Sequence, residues 1–469
     1  MTTTAGLAMD KNKLRFALFV AAIGIFAAVT VGPAAADEVP LTRPNILVIV
    51  ADDMGWADVG YHNSAIKTPN IDRLCGSGVE LDQHYVAPMC TPTRAALLTG
   101  RYWSRFGNTT PDNERVLPWG TVTLASLLRD VGYDTGMSGK WHLGSKPEWG
   151  PRKFGFNSSH GSLAGGVNPV NHLYKHGPYS RTWHRNDELQ DEAGHVTDLI
   201  AKEAVRFINV KRETPFFLYV PFTAVHTPFD ESKEWLDSAK HVASDRQQYV
   251  ACAQHMDNAI GQFLTALRNT KQLEKTLIVF FSDNGGTNGD DSNRYPDTAV
   301  KGKIRGLNTP LRGWKTQVYE GGIRTPAFAY WKDTLTPKKV TTPLHVIDWL
   351  PTISRLVKCP EEPSLKWDGQ DIWPSLAQAA AKPDPRVLYW QGVLKKSAAL
   401  RMGDWKLIVH RTGKQPKIEL FDLASDPNET SDLASSKPDL VKQLQQLMVE
   451  EQALDDDALP NRAITELPE

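Results

Sequence analysis

"NILVIVADDMG", residues 45–55, places five consecutive apolar residues ahead of Ala51 and then breaks into Asp52, Asp53, Met54 and Gly55. The run does not alternate between apolar and polar positions. A strand of that character is covered on both faces, as in a sheet whose strands run parallel. "PFFLYV" (215–220) and "TLIVFF" (276–281) have the same texture. Between these runs, Val196, Leu199, Ile200, Ala204, Phe207 and Ile208 repeat at helical spacing, as do Val250, Ala253, Met256, Ile260, Phe263 and Leu264. Strands alternating with such helices predict an α/β fold, a large, mainly parallel sheet sandwiched by helices.

Near residue 380 the pattern changes. "AAAKPDPRV" reads as a linker, followed by the short strand candidates "LYWQGV", "SAALRMGDWKLIVH" and "KIELFDL" and a closing helix over Lys437–Leu454. The expected organisation is a main domain over 37–382 and a small C-terminal α+β domain with an antiparallel sheet over 383–469. No internal repeat or low-complexity tract interrupts this plan.

At the other end, Lys11, Lys13 and Arg15 precede an apolar run from Phe16 to Val31, and Ala34-Ala35-Ala36 follows. A basic start, an apolar stretch and small residues at a cleavage point predict a secretory signal over residues 1–36. Gly24 and the Gly32-Pro33 break leave the run short of the roughly 20 apolar residues that a membrane span needs. The mature chain is therefore expected to be exported without a membrane anchor, periplasmic or secreted, from a bacterium. A net charge of −1 over 469 residues argues against a general binder of nucleic acid or anionic membranes. Cys75, Cys90, Cys252 and Cys359 are too few for a disulfide framework and lack the close pairing of a zinc site.

In an open parallel sheet, ligands bind beyond the carboxyl ends of the strands. Two runs end alike there, one in Asp52-Asp53 and the other in Asp283-Asn284. Brought to one edge, they make a hard, oxygen-only set suited to Ca²⁺ or Mg²⁺; ordinary turn chemistry is the plainer explanation of either end alone. His226 follows a third strand end, and Lys140 and His142 follow a fourth as an extended i, i+2 pair facing one side. Lys315 lies in a further glycine-rich loop. A cation-lined pocket around a divalent metal suits a sulfate or phosphate ester. In "PMCTPTRAALLTGR" (88–101), Thr91 reads as an N-cap, Pro92 as the first helical residue and Gly100 as the stop. Cys90 then sits at the positive end of a short helix with Arg94 on its first turn. A thiolate nucleophile and a buried structural cysteine are the two readings open at this point.

C-x-P-x-R followed by "LLTGR" resembles the signature of type I sulfatases, of the alkaline phosphatase-like superfamily. "GKWHLG", "VHTPF", "SDNGG", "PLRGWK", "EGGIRTP", "HVIDWLPT" and "GDWKL" follow in family order, and the set is closest in flavour to the arylsulfatase B (N-acetylgalactosamine-4-sulfatase) branch. Thr93 stands where the commonest form of the signature has serine. The resemblance implies that a formylglycine-generating enzyme converts Cys90 to Cα-formylglycine, and that Asp52, Asp53, residue 90, Asp283 and Asn284 hold one Ca²⁺. It further implies that Arg94 steadies the hydrated aldehyde, Lys140 and Lys315 hold the sulfate, and His142 and His226 move protons. The implied activity is hydrolysis of aryl sulfates in assay and of sulfated saccharides in nature. A phosphomonoester or phosphonate hydrolase is the neighbouring alternative, and an inactive sulfated-sugar-binding protein is the alternative of another class. The glycine-, histidine- and arginine-rich stretch 157–186 is expected to loop over the mouth of the site, where it would bear on substrate choice.

Overall fold

β1 (Asn45–Ala51), β2 (Asp134–Lys140), β3 (Phe216–Pro221) and β4 (Thr276–Ser282) occupy the middle of a ten-stranded sheet, in the spatial order β4, β1, β3, β2. The computed structural model describes residues 43–289, 294–295, 305–360, 362–378 and 385–459. The expected signal over 1–36 and the expected domain boundary at 382 lie outside the described residues. β1 pairs in parallel with both β3 and β4, and β2 pairs in parallel with β3. The edges depart from this rule. Ala327–Tyr330 runs antiparallel to β4, and Trp183–Arg185 runs antiparallel to Ser158–Ser162.

The continuous apolar texture has the expected consequence, since every residue of β1 is buried. Alternate residues Leu47, Ile49 and Ala51 share one core with Ile200, Phe207, Ile260 and Phe263. Burial of each such aliphatic or aromatic side chain contributes roughly 1.5–3 kcal/mol. Three helices matter for the site: α1 (Cys90–Thr99), α2 (Val196–Asn209) and α3 (Gln247–Asn269). α2 and α3 carry the two periodic patterns read from the sequence, and both contribute to that core.

α1 begins earlier than its sequence suggests. Met89, with extended backbone, is the N-cap and Cys90 is already helical, so Thr91 does not cap. The Thr93 hydroxyl explains the shift: it accepts from the Ala87 amide at 2.9 Å and donates to the Ala87 carbonyl at 3.3 Å. This pins the chain as it enters the helix, and Pro92 falls in the first turn, where a missing N–H costs nothing. Gly100 ends the helix as expected, at φ 67°.

The C-terminal strands Val387–Gln391, Ser397–Met402, Trp405–His410 and Lys417–Asp422 form a four-stranded antiparallel sheet under the helix Pro438–Gln452. Buried bonds tie it to the segments around Val86 and Glu320. Trp390 donates to the Val86 carbonyl at 2.9 Å, and Lys406 pairs with Glu320 at 2.8 Å. The described residues from Arg43 to Leu459 form one compact unit. All four cysteines are free and buried.

Candidate active site

Parallel pairing brings the carboxyl ends of β1, β2, β3 and β4 to one edge, and the predicted residues meet there. Ala51 lies in register with Ser282, so Asp52-Asp53 and Asp283-Asn284 leave the sheet side by side. Asp283 and Asp52 each offer an oxygen within 4.8 Å of the Cys90 sulfur and of each other. Thus α1 delivers Cys90 to the carboxylates from across the sheet edge. Arg94, one turn along, is fully buried and donates to Asp283 Oδ2 from Nη2 at 2.7 Å and to the Lys140 carbonyl from Nη1 at 2.8 Å.

The cations are drawn onto the acids. Lys140 pairs with Asp52, and Lys315 Nζ lies 2.6 Å from Asp53 Oδ1. Burial pushes the carboxyl of Asp52 up, and burial together with Asp52 raises that of Asp283 to about 6. Burial also acts on Asp53, but Lys315 and His226 override it and hold that carboxyl well below the usual range. Asp52 Oδ1 and Asn284 Oδ1 are buried without a hydrogen-bond partner. Buried oxygens without donors, beside crowded carboxylates, form a site that can hold a metal cation.

The histidines arrive differently from one another. His226 donates from Nδ1 to the Thr227 carbonyl at 2.5 Å, which leaves Nε2 unprotonated and 3.8 Å from Asp53 Oδ2. Burial and Lys315 lower its pKa to about 3. His142 does not form an extended pair with Lys140, because the chain turns at His142 itself, at φ 57°. Both residues nevertheless reach the site. The His142 ring is buried, its Nδ1 has no hydrogen-bond partner, and burial followed by Lys140 pushes its pKa well down.

Other residues arrange the site without having been legible as part of it. Asp58 accepts from Tyr249 Oη at 2.7 Å, from Gly55 N at 3.1 Å and from Leu307 N at 2.7 Å, which sets the turn just after Asp53. Its only sequence signal is an aspartate in a tight turn. Ser282 Oγ accepts from Met54 N and donates to the Asn284 carbonyl, both at 2.9 Å, linking the two metal-capable strand ends. The stretch 157–186 is not one open loop, because Ser158–Ser162 and Trp183–Arg185 join the sheet. Within it, Gly165 lies so close to His142 that an added Cβ would fall 2.3 Å from Nε2 of the ring.

Residues 44–359 match the family described as Sulfatase. Arylsulfatase J of Mus musculus is 30% identical over 86% of this chain and 75% of its own length. N-acetylgalactosamine-6-sulfatase of Rattus norvegicus is 31% identical over 77% of this chain and 71% of its own. The crystal structure of Ps i-CgsB superposes with a TM-score of 0.78 and 30% identity, covering 90% of this chain and 96% of that one. A match of that extent, supported by relatives at that identity, means that the chain belongs to the sulfatase family, and its reaction is the hydrolysis of sulfate esters.

Proposed function

We propose that the protein is an exported, formylglycine-dependent sulfatase of sulfated saccharides that works with one Ca²⁺. The observation that carries this reading is the meeting of the Cys90 sulfur with oxygens of Asp52 and Asp283 at the start of α1. Asp52, Asp53, Asp283 and Asn284, together with residue 90, would hold the cation. The partnerless oxygens of Asp52 and Asn284 fit it, and a hard all-oxygen set favours Ca²⁺. When bound, the cation supplies positive charge to the sulfate oxygens and to the nucleophile. Conversion of Cys90 by a formylglycine-generating enzyme supplies a hydrated aldehyde, with one hydroxyl to attack sulfur and a second through which sulfate is later released.

The chain's own residues do the remainder. Arg94, locked between Asp283 and the Lys140 carbonyl, steadies residue 90. Lys140 and Lys315 give their ammonium groups to the sulfate in place of the carboxylates they now pair with. His226 is neutral beside Lys315, and an anionic sulfate next to the ring raises its basicity again. His226 with Lys315 therefore passes the proton to the leaving alcohol. His142, held neutral by burial and with a partnerless nitrogen, takes the proton whose removal frees sulfate. Two relatives support a saccharide substrate: one is named for N-acetylgalactosamine 6-sulfate, and Ps i-CgsB was solved with k-i-k-neocarrahexaose.

Chelation should abolish turnover, and Ca²⁺ should restore it more fully than Mg²⁺. Stripped enzyme fully reactivated by zinc alone would count against the oxygen-set assignment. On matched sulfate and phosphate esters the sulfate should be turned over faster; a preference for phosphate would favour the phosphohydrolase alternative.

A further inference from the structure

Away from the strand ends, α2 and α3 bring together a different set of donors. His195 is the N-cap of α2 and Asp198 lies in its first turn, so the two sit one above the other on the helix end. His255 projects toward them from the middle of α3. One ligand atom from each of His195, Asp198 and His255 lies within 4.8 Å of the others. His255 Nε2 is 3.0 Å from Asp198 Oδ1, while its Nδ1 is 2.9 Å from Glu231 Oε2. His195 Nε2 is buried with no hydrogen-bond partner, 3.7 Å from Glu231 Oε1.

We propose that His195, Asp198 and His255 form a second metal site, for a zinc-class divalent cation, with Glu231 orienting the His255 ring. Two imidazole nitrogens and a carboxylate are the donors that zinc takes at bond lengths of about 2.0–2.2 Å. Ligand atoms around such an ion stand about 3.3 Å apart, so donors already spaced 3.0–4.8 Å need only small rotations. A carboxylate on the far nitrogen of a ligating histidine is the usual supporting contact. Trp235 stacks on His255 at 4.8 Å between centroids and fixes the plane of that ring. The set differs in kind from the oxygen cluster of the active site, so the two sites select different metals.

Binding has two costs that can be stated atom by atom. His255 gives up the Nε2 proton it now shares with Asp198, and that proton leaves to solvent as the nitrogen's lone pair turns to the metal. His195, ligating through Nε2, carries its proton on Nδ1 and loses the long 3.3 Å bond from Thr197 N. In return the ion joins α2 to α3, and the stretch after β3 is held to the site through the bond between Glu231 and His255. Glu231, five residues beyond His226, lines one small cavity together with His226, His195 and Cys252. The site is therefore placed to brace the segment carrying His226.

The experiment uses full-length enzyme, stripped of metal, saturated with Ca²⁺ and then titrated with Co²⁺ as a coloured substitute for zinc. The wild type should take up one equivalent with visible d–d absorption, release protons on uptake, and lose the colour when Zn²⁺ is added. His195→Ala and Asp198→Asn should each weaken uptake at least ~10-fold, the range typical for loss of a supporting or direct ligand. Asp198 is largely exposed, so Asp198→Asn should fold even if the His195 variant does not. No absorption in the wild type, or equal uptake in Asp198→Asn, overturns the site. Neither result bears on sulfatase activity, which is read separately in the same samples.

Discussion

Cys90 is distinguished from the other cysteines by its neighbours. Cys75 is pushed up to about 12 by burial, and burial lifts Cys252 far above its ordinary value. Both are inert thiols packed in the core. Burial raises Cys90 too, although Lys140 and Lys315 act in the opposite direction. A thiol held up by burial among carboxylates makes a poor thiolate nucleophile, which weighs against one of the two readings left open by sequence. The other, a purely structural cysteine, leaves Arg94, Lys140 and the aspartates unexplained. Substitution separates the possibilities. Cys90→Ser should fold normally, attack an aryl sulfate once and stop, because a serine sulfate ester has no second hydroxyl through which to expel sulfate. Intact mass should show a persistent sulfate adduct with one equivalent of phenol released. Sustained turnover by the serine variant would defeat the formylglycine reading.

At the scale of elements, the strands were legible because continuous apolar runs have few alternatives to burial in a parallel sheet. α2 and α3 were legible from their periodicity. The convergence at the sheet edge followed from strand direction alone, so Asp52, Asp53, Asp283 and Asn284 could be grouped before any distance was known. Contacts between loops distant in sequence were not legible. The turn at His142, the Asp58 brace and the approach of Gly165 to His142 all depend on partners that no local pattern specifies. Thr93 is the instructive case, because sequence flagged it only as a departure from serine, whereas its hydroxyl closes two bonds with Ala87 and sets where α1 begins. Thr93→Val keeps the shape but leaves a buried amide and carbonyl unpartnered, at about 1–3 kcal/mol for such groups. Thr93→Ser keeps both bonds and loses one methyl, roughly 0.8 kcal/mol. Urea unfolding should therefore rank wild type above serine above valine, with turnover falling most in valine. Equal losses in the two variants would mean that packing, not the hydroxyl, positions the helix.

Across the whole molecule, several imidazoles are held by burial in one protonation state. His84 lies in a two-stranded parallel pair with Leu344–His345, its Nε2 accepting from Trp349 Nε1 at 3.1 Å, and burial lowers its pKa from 6.5 to about 3. His184, buried in the main sheet, is likewise lowered to about 3, and His345 well below its ordinary value. Between pH 6.5 and about 3 the unfolded chain therefore binds protons at these rings that the folded chain does not. Stability rises with pH wherever the unfolded state holds more protons, so these rings stabilise the fold above pH 6.5 and lose that contribution as pH falls toward 3. Buried acids with raised values work in the opposite sense. Asp257, at about 6, favours the folded chain at low pH and loses that contribution as pH rises from 3.8. The wild-type profile alone would mix the two, but a variant isolates one ring. His84→Gln keeps an acceptor for Trp349 and removes the titration. Above pH 7 it should be less stable than wild type by the cost of imperfect packing. By pH 5 the gap should shrink by about 2 kcal/mol, since each pH unit below the unfolded value is worth about 1.4 kcal/mol. Urea midpoints at pH 8, 6.5 and 5 measure this directly. A gap that stays constant over that range would mean that His84 takes up its proton as readily in the folded chain as in the unfolded one, and that the bond it accepts from Trp349 does not hold it neutral.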